Sequence, residues 1–381
     1  MKICIVGGGN LAHVAIGMLS MHGDVSINLL TKHPECWTNE ITVELPENKL
    51  PSGWSLHTGK QADSVFPKSV KGRIDCVSAD PADVVPGCDI VLLCLPAFLV
   101  EETVIKLAEF VDSARISDNN QSDASPRPVP VFGTIVANSG FFIFCHNHLS
   151  PNTKLFGFQR VPYMARVSEY GKSAKLLGFH DELFMATENI PDQEAFRMEI
   201  ARLFMEKVSL VGNFYEVTLS NSNPILHTGR LYTMFGRWDG NPFDRCSFFY
   251  KEWTDEASEL EIGMDREFFS LLKALKVNTT HIDTLLEHYE AVDASGMTRK
   301  LRSIEALSTI LSPMKQVDGG WIPDFNSRYF TEDFPFGLKL IKDLCAAHGL
   351  STPNIDKVLD WGLQTVRRDS HNANDSRIYE K

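Results

Sequence analysis

The sequence predicts an α/β domain followed by a mostly α-helical one, and three observations carry that prediction. A short apolar run, Lys2-Ile3-Cys4-Ile5-Val6, ends in three glycines and leads directly into a helical pattern. Apolar runs of strand length then recur through the first half of the chain with helical stretches between them. Beyond Ile190-Pro191-Asp192 the texture changes, and helical spacing dominates to the end. The predicted division is therefore 1–190 and 191–381, and a chain of 381 residues accommodates two domains of ordinary size.

The elements follow in order. Residues 2–6 read as a buried parallel strand. In residues 11–21, Leu11, Val14, Ala15, Met18 and Leu19 recur at helical spacing. Residues 25–31 read as a second strand, which completes a βαβ unit. Residues 38–80 contain shorter strand-like pieces and many breakers. Ile90 to Leu95 is a third apolar strand, stopped by Pro96 and followed by a helix from Val100 to Val111. Residues 113–130, rich in Ser, Asp, Asn and Pro, read as a long loop. Strands are expected again at 131–136 and 154–158. In the second half, helical periods are expected over 193–207, 224–236, 257–276, 278–290, 299–311, 335–348 and 353–367, and the last dozen residues read as frayed.

Composition narrows the function. With 37 Lys+Arg against 49 Asp+Glu, the net charge of −12 argues against broad binding to nucleic acid or an anionic membrane. It leaves room for a local basic pocket that takes a phosphate. No apolar run approaches the roughly 20 residues that span a bilayer. The first apolar stretch stops at Gly7, too short for a signal peptide, so the expected location is the cytoplasm. Eight cysteines without a C-x-x-C pair read as reduced thiols. Cys145-His146-Asn147-His148, taken as an extended segment, points its side chains to opposite faces. No second cluster completes a ligand set, so no metal is expected.

Gly7-Gly8-Gly9-Asn10-Leu11-Ala12 fits G-x-G-x-x-A in the strand–turn–helix context that gives this pattern meaning. Gly7 permits the tight turn, Gly9 lets a diphosphate approach the backbone, and Ala12 lets helix and strand pack closely. The diphosphate would meet the positive end of the helix and its free N–H groups. The first domain is thus expected to be a Rossmann dinucleotide-binding domain, with Gly7, Gly9, Asn10, Leu11 and Ala12 at the cofactor. An NAD site usually places an acid at the end of the second strand, whereas this chain has Thr31-Lys32-His33. A hydroxyl and a cation suit a 2′-phosphate, so NADP is expected to be favoured over NAD. Leu95-Pro96-Ala97 lies where a later strand ends and is expected to line the cofactor cleft.

Two segments of the helical half carry chemistry. In Asn221-Ser222-Asn223-Pro224-Ile225-Leu226-His227, Asn223 and Pro224 read as N-cap and first helical residue. That places His227 about one turn into a helix, near the positive end that favours a neutral imidazole. Arg328-Tyr329-Phe330-Thr331-Glu332-Asp333 interleaves charges with aromatics just before a helix, and Asp333 reads as a helix cap or a functional acid.

Taken together, Gly-Gly-Gly-Asn, Gly157-Phe158-Gln159-Arg160-Val161-Pro162, Asn-x-Asn-Pro-x-x-His and Arg-Tyr-Phe-Thr-Glu-Asp resemble the octopine/nopaline (opine) dehydrogenases along nearly the whole chain. The resemblance implies an NAD(P)H-dependent oxidoreductase acting on CH–NH. Such an enzyme condenses an α-keto acid, here expected to be pyruvate, with the amino group of an amino acid or related amine. It also implies His227 as general acid/base, Asp333 as its acidic partner and Arg328 as the group that binds the keto-acid carboxylate. The departure lies at Thr31-Lys32, where some members carry an acid and use NAD. Two rivals remain open at this stage. One is a 2-hydroxy-acid or polyol-phosphate dehydrogenase that reduces a C=O directly; the other is a non-catalytic, dinucleotide-binding regulatory protein. The expected partners are small molecules, and the expected state is a monomer or homodimer. Trp238 and Trp253 suit either an interface or core packing.

Overall fold

The computed structural model describes residues 1–46, 67–112, 115, 129–138 and 140–376. Most of the expected 113–130 loop, and part of the 38–80 stretch, lie outside the described residues. The chain divides into two compact units, Met1–Thr218 and Leu219–Lys381.

The first unit is built on strands β1 (Lys2–Val6), β2 (Ser26–Leu30), β5 (Cys76–Ser78), β6 (Ile90–Leu93), β7 (Val131–Thr134) and β8 (Leu155–Phe158). They hydrogen-bond in the order β5-β2-β1-β6-β7-β8, all parallel. This is the doubly wound Rossmann order, with the chain reversing direction of growth on either side of β1. Helices α1 (Asn10–Leu19), α2 (Val100–Val111) and α3 (Phe141–His148) make connections between these strands. Alternate residues of β1 serve opposite layers: Ile3 and Ile5 pack with α1, whereas Cys4 and Val6 pack on the α2 side. Both faces are covered, which is why the strands read as unbroken apolar runs. All eight cysteines are free thiols.

The predicted boundary near residue 190 falls too early. Strands β11 (Glu182–Glu188) and β12 (Lys207–Leu210) extend the same sheet, β11 antiparallel to β8 and β12 parallel to β11. Helix α4 (Gln193–Phe204) connects them and buries Ile200, Leu203 and Phe204 in the first core. Residue 190 is thus a turn within a β-α-β passage, and the change of texture there marks only the first of several helices.

A second sheet also went unread in the sequence. It runs β4-β3-β10-β9, from β3 (Glu40–Glu44), β4 (Ser69–Arg73), β9 (Tyr163–Glu169) and β10 (Ser173–Phe179). Val43 and Val70 of this sheet pack against α1. A side chain at Gly17 of α1 would lie 2.4 Å from the Val43 methyl group, so the close approach of helix and sheet requires glycine there.

The second unit packs α5 (Asn223–Phe235) against α6 (Asp255–Ala274), with α7 (Ala294–Ser303), α8 (Lys339–Ala347) and α9 (Pro353–Ser376) around them. The helix expected over 278–290 shrinks to Leu285–His288, and the one expected over 299–311 begins at Ala294 and stops before Ile304. A hairpin, β13 (Met314–Val317) and β14 (Gly320–Pro323), lies in a stretch where no strand was expected. The expected fraying of the last dozen residues does not hold throughout, since α9 continues to Ser376. Trp253 is fully buried, which settles its reading as core. No helix among the described residues is long and apolar enough to cross a membrane.

Candidate active site

The glycine loop leaves β1 at the point where the sheet order reverses. Gly7 has φ +126°, and a Cβ there would stand 2.5 Å from the Cys94 carbonyl oxygen. Only glycine fits both constraints. Gly9 is different: it is the N-cap of α1 with an ordinary φ of −83°, and a Cβ there would meet nothing within 4 Å. No side chain caps α1 and no acid occupies its first turn. The helix start therefore has no side-chain cap, and the loop that leads into it lines an open cavity, which fits a diphosphate on both sterics and charge.

A cavity of about 490 Å³ begins at this loop and is lined by Gly7, Gly9, Thr31, Lys32, Leu95 and Pro96, among others. Of the remaining expected cofactor residues, Ala12 is buried in the core, and Leu11 packs against it. Asn10 spends its side chain on structure, its Oδ1 accepting from the Val167 amide at 2.8 Å. Ala97 opens a short 3-10 turn and does not line the cavity. At the end of β2 the Thr31 side chain faces the loop: a Cβ on Gly8 would stand 3.0 Å from its hydroxyl. Lys32 is exposed at the cavity. The nearest acid in sequence, Glu35, accepts from His33 at 3.2 Å.

The sequence reading missed Tyr170, which lies in the β9–β10 turn and lines the same cavity. Its hydroxyl would stand 2.4 Å from a Cβ on Gly8. His13 braces this arrangement. Its Nδ1–H donates to the Gly9 carbonyl at 2.9 Å, and its Nε2 accepts from the Gly171 amide at 2.8 Å. Burial holds the imidazole below its ordinary pKa, which keeps it in this neutral tautomer. The ring also packs on Trp37, with centroids 4.2 Å apart. The signal lay in Glu169-Tyr170-Gly171, but that turn gains meaning only once the second sheet is known.

The second unit assembles His227 and Asp333 from far apart in the chain. Helix α5 begins at Asn223, with Ser222 rather than Asn223 as its N-cap, so Asn223 and Pro224 are its first two residues. Asn221 Oδ1 accepts from the Asn223 amide at 3.1 Å and holds the entry. His227 therefore lies one turn in, as expected. Asp333 opens a π-helical turn, Asp333–Leu338, that precedes α8. Pro335 within it has no N–H to continue a regular ladder. Gly337 permits the turn to lie against the start of α5: a Cβ there would stand 2.7 Å from Pro224 Cγ. The result is a hydrogen bond of 2.8 Å from His227 Nδ1–H to Asp333 Oδ2. Both side chains are mostly buried, at 12% and 21% exposure.

The other imidazole nitrogen is also engaged. With Nδ1 protonated, Nε2 of the neutral ring carries a lone pair, and the Tyr250 hydroxyl lies 3.0 Å from it as a donor. Burial above all pushes the Tyr250 phenol up, so it remains protonated. Tyr329 packs edge-on to His227, centroids 4.8 Å apart. Arg328, expected to bind a keto-acid carboxylate, already donates to a carboxylate of its own chain. Its Nε and Nη2 donate to Glu332 at 2.9 and 2.7 Å, and its side chain is 79% exposed. The edge that carries Nη1 is not used by Glu332.

The Cys145–His148 segment is not extended; it forms the end of α3. His146 pairs with Glu188 at 2.7 Å and His148 with Glu101 at 2.9 Å. No group of three ligating side chains occurs among the described residues.

A doubly wound dinucleotide fold followed by a helical unit that holds a His–Asp pair defines an NAD(P)-dependent oxidoreductase. Comparison with known proteins makes the assignment finer. Residues 210–365 match the family model "NAD/NADP octopine/nopaline dehydrogenase, alpha-helical domain". Opine dehydrogenase of Haliotis discus hannai is 24% identical over 94% of this chain and 88% of its own. Octopine dehydrogenase of Mizuhopecten yessoensis is 25% identical over 96% of this chain and 90% of its own. A solved structure of octopine dehydrogenase with NADH and L-arginine superposes with a TM-score of 0.79 at 23% identity, covering 96% of this chain and 89% of that one.

Proposed function

We propose that this protein is an opine dehydrogenase that joins an α-keto acid, pyruvate in our reading, to the amino group of an amino acid or related amine. The single observation that carries this is the His227–Asp333 pair, with Nδ1–H fixed on a carboxylate and Nε2 left as the base. The names of the relatives agree with it. The reaction forms a carbinolamine, expels water to give an imine and reduces that imine, so protons must be both taken and returned. His227 can do both. Asp333 orients the ring and offsets the positive charge when the ring is protonated. NADPH, when bound, supplies the hydride that reduces the imine carbon. The uncapped start of α1 and the open space at Gly9 would hold its diphosphate.

Arg328 would bind the keto-acid carboxylate along its Nη1 edge while Glu332 holds the Nε edge. Arg328→Lys removes the fork and is expected to raise the keto-acid KM about tenfold or more, leaving the cofactor KM unchanged. Steady-state kinetics in each substrate would show it. An unchanged keto-acid KM would remove Arg328 from the site.

Thr31 and Lys32 in place of an acid support NADPH over NADH. Lys32→Ala is expected to weaken NADPH by about tenfold, the worth of roughly 1.4 kcal/mol, with NADH unaffected. Fluorescence titration with both cofactors tests this. Equal affinity of the wild type for the two would overturn the preference.

The experiment that tests the function follows NADPH absorbance with pyruvate and pooled amino acids, each component omitted in turn. Oxidation that requires both keto acid and amine establishes reductive condensation. Oxidation with the keto acid alone would instead identify a 2-hydroxy-acid type of enzyme, and NADPH binding without turnover would favour a regulatory protein.

A further inference from the structure

We infer that Tyr250 is the proton relay through which His227 reaches the reacting nitrogen and oxygen, an inference that rests on the function proposed above. Both imidazole nitrogens have protein partners, Nδ1 on Asp333 and Nε2 on the Tyr250 hydroxyl. No lone pair of the ring is left open to a substrate. A proton can arrive at Nε2 only through the Tyr250 oxygen, or after the phenol has moved away.

The surroundings of Tyr250 oppose movement. Its ring lies parallel to that of the fully buried Trp253, 9° between planes and 5.6 Å between centroids. Phe249 packs edge-on against it at 5.0 Å. The whole residue is 6% exposed. Its backbone is held from both sides by Arg230, a buried residue three positions beyond His227 on α5. Arg230 Nε donates to the Phe249 carbonyl at 3.2 Å and Nη2 to the Glu252 carbonyl at 2.8 Å. Arg302 adds a third tie, its Nε donating to the Trp253 carbonyl at 2.7 Å. Such clamping suits a group that transmits protons in place and is wasted on one that must swing out.

The chemistry balances through this route. An ammonium substrate and a carbonyl become an iminium and water, so two protons must leave nitrogen and arrive at oxygen. Each passes from nitrogen to the Tyr250 oxygen as the Tyr250 proton moves to His227 Nε2, and the tyrosine remains neutral. The positive charge rests on the imidazolium beside Asp333. The reverse movement delivers the proton to the carbonyl-derived oxygen. The first deprotonation frees the nitrogen lone pair, which forms the C–N bond as the C=O π pair moves to oxygen. Once that oxygen has received both protons it leaves as water with the C–O electron pair, and the lone pair freed on nitrogen by the second deprotonation closes the C=N bond. No oxidant or other reactant enters these steps.

The alternative, a phenol that merely blocks Nε2, predicts the opposite result for one substitution. Tyr250→Phe keeps the stacked ring, removes the hydroxyl and exposes Nε2. For a relay, kcat falls by about 30-fold or more, within the range of a proton-transfer catalyst. The NADPH Kd and the melting temperature, measured on the same variant, should stay close to wild type and so exclude unfolding. A proton inventory in mixed H₂O and D₂O should change from curved, two protons moving together, to linear. A kcat within twofold of wild type, or above it, overturns the relay. The functional reading fails separately: it fails if wild-type turnover needs no amine. In that event a rate loss in Tyr250→Phe would still support a relay to the carbonyl oxygen, and an unchanged rate would overturn it.

Discussion

Replacing His227 by alanine is expected to lower kcat by about three orders of magnitude while the NADPH Kd stays unchanged. General acid–base catalysis by a positioned side chain is worth about 10²–10⁴ in rate, and the reaction proposed here calls on it at more than one step. The loss corresponds to roughly 4 kcal/mol of barrier. Cofactor affinity is spared because the glycine loop and the His–Asp pair belong to different compact units. Asp333→Asn tests the same pair from its other side. An amide lacks the charge that offsets an imidazolium, and it can present its NH₂ end to Nδ1. That orientation would place the ring proton on Nε2 and remove the base. A fall of about tenfold or more in kcat is expected. A His227→Ala enzyme whose kcat lies within about twofold of wild type would remove His227 from the chemistry.

The second large effect separates folding from binding at two glycines of one loop. Gly7→Ala forces an L side chain to φ +126° and brings its Cβ to 2.5 Å from the Cys94 carbonyl. Strain of this kind costs about 1–3 kcal/mol before the clash is counted. The variant should melt several degrees lower and lose NADPH as its loop is displaced. Gly9→Ala meets no protein atom within 4 Å and keeps an allowed backbone. As an N-cap change it should cost no more than about 1 kcal/mol. Its methyl group nonetheless stands where the diphosphate must approach, so the NADPH Kd should rise at least tenfold. Thermal melts and fluorescence titrations of both variants decide the matter. Gly9→Ala with wild-type affinity would place the diphosphate elsewhere.

How much of this was legible follows from where the signals lie. The strand–glycine–helix passage at Val6 to Leu19 is local, and each of its residues serves a neighbour in sequence. Strands β1, β6, β7 and β8 were readable because both faces are buried, which leaves an unbroken apolar run. The second sheet was not, because its strands are half exposed and two of them border residues rich in breakers. In β10, Ser173–Phe179, buried and exposed positions alternate, and its partner β3 lies more than a hundred residues earlier. The boundary failed for a related reason. Helix α4 has the spacing of the helical half, yet β12 pairs back to β11 and returns the passage to the first unit.

The candidate site divides in the same way. The residue types were open to reading: glycines where a backbone must be bare, a lysine where an acid usually stands, a histidine near a helix start, an acid behind Arg328. Their pairing was not. Asp333 and His227 are 106 residues apart, and the π-helical turn and Gly337 bring them to 2.8 Å. Arg328 was expected at the keto-acid carboxylate, and the structure adds that its side chain also finds Glu332 one helical turn away. Tyr250 carried no signal, since a tyrosine in Phe248-Phe249-Tyr250 reads as core until its hydroxyl is seen on Nε2. The sequence by itself determined the fold class, the dinucleotide loop and the identity of the groups able to move a proton, because these rest on local geometry and residue chemistry. The tertiary structure decided which nitrogen faces which oxygen and which cation is already paired, because those depend on distances between segments that the chain brings together only on folding.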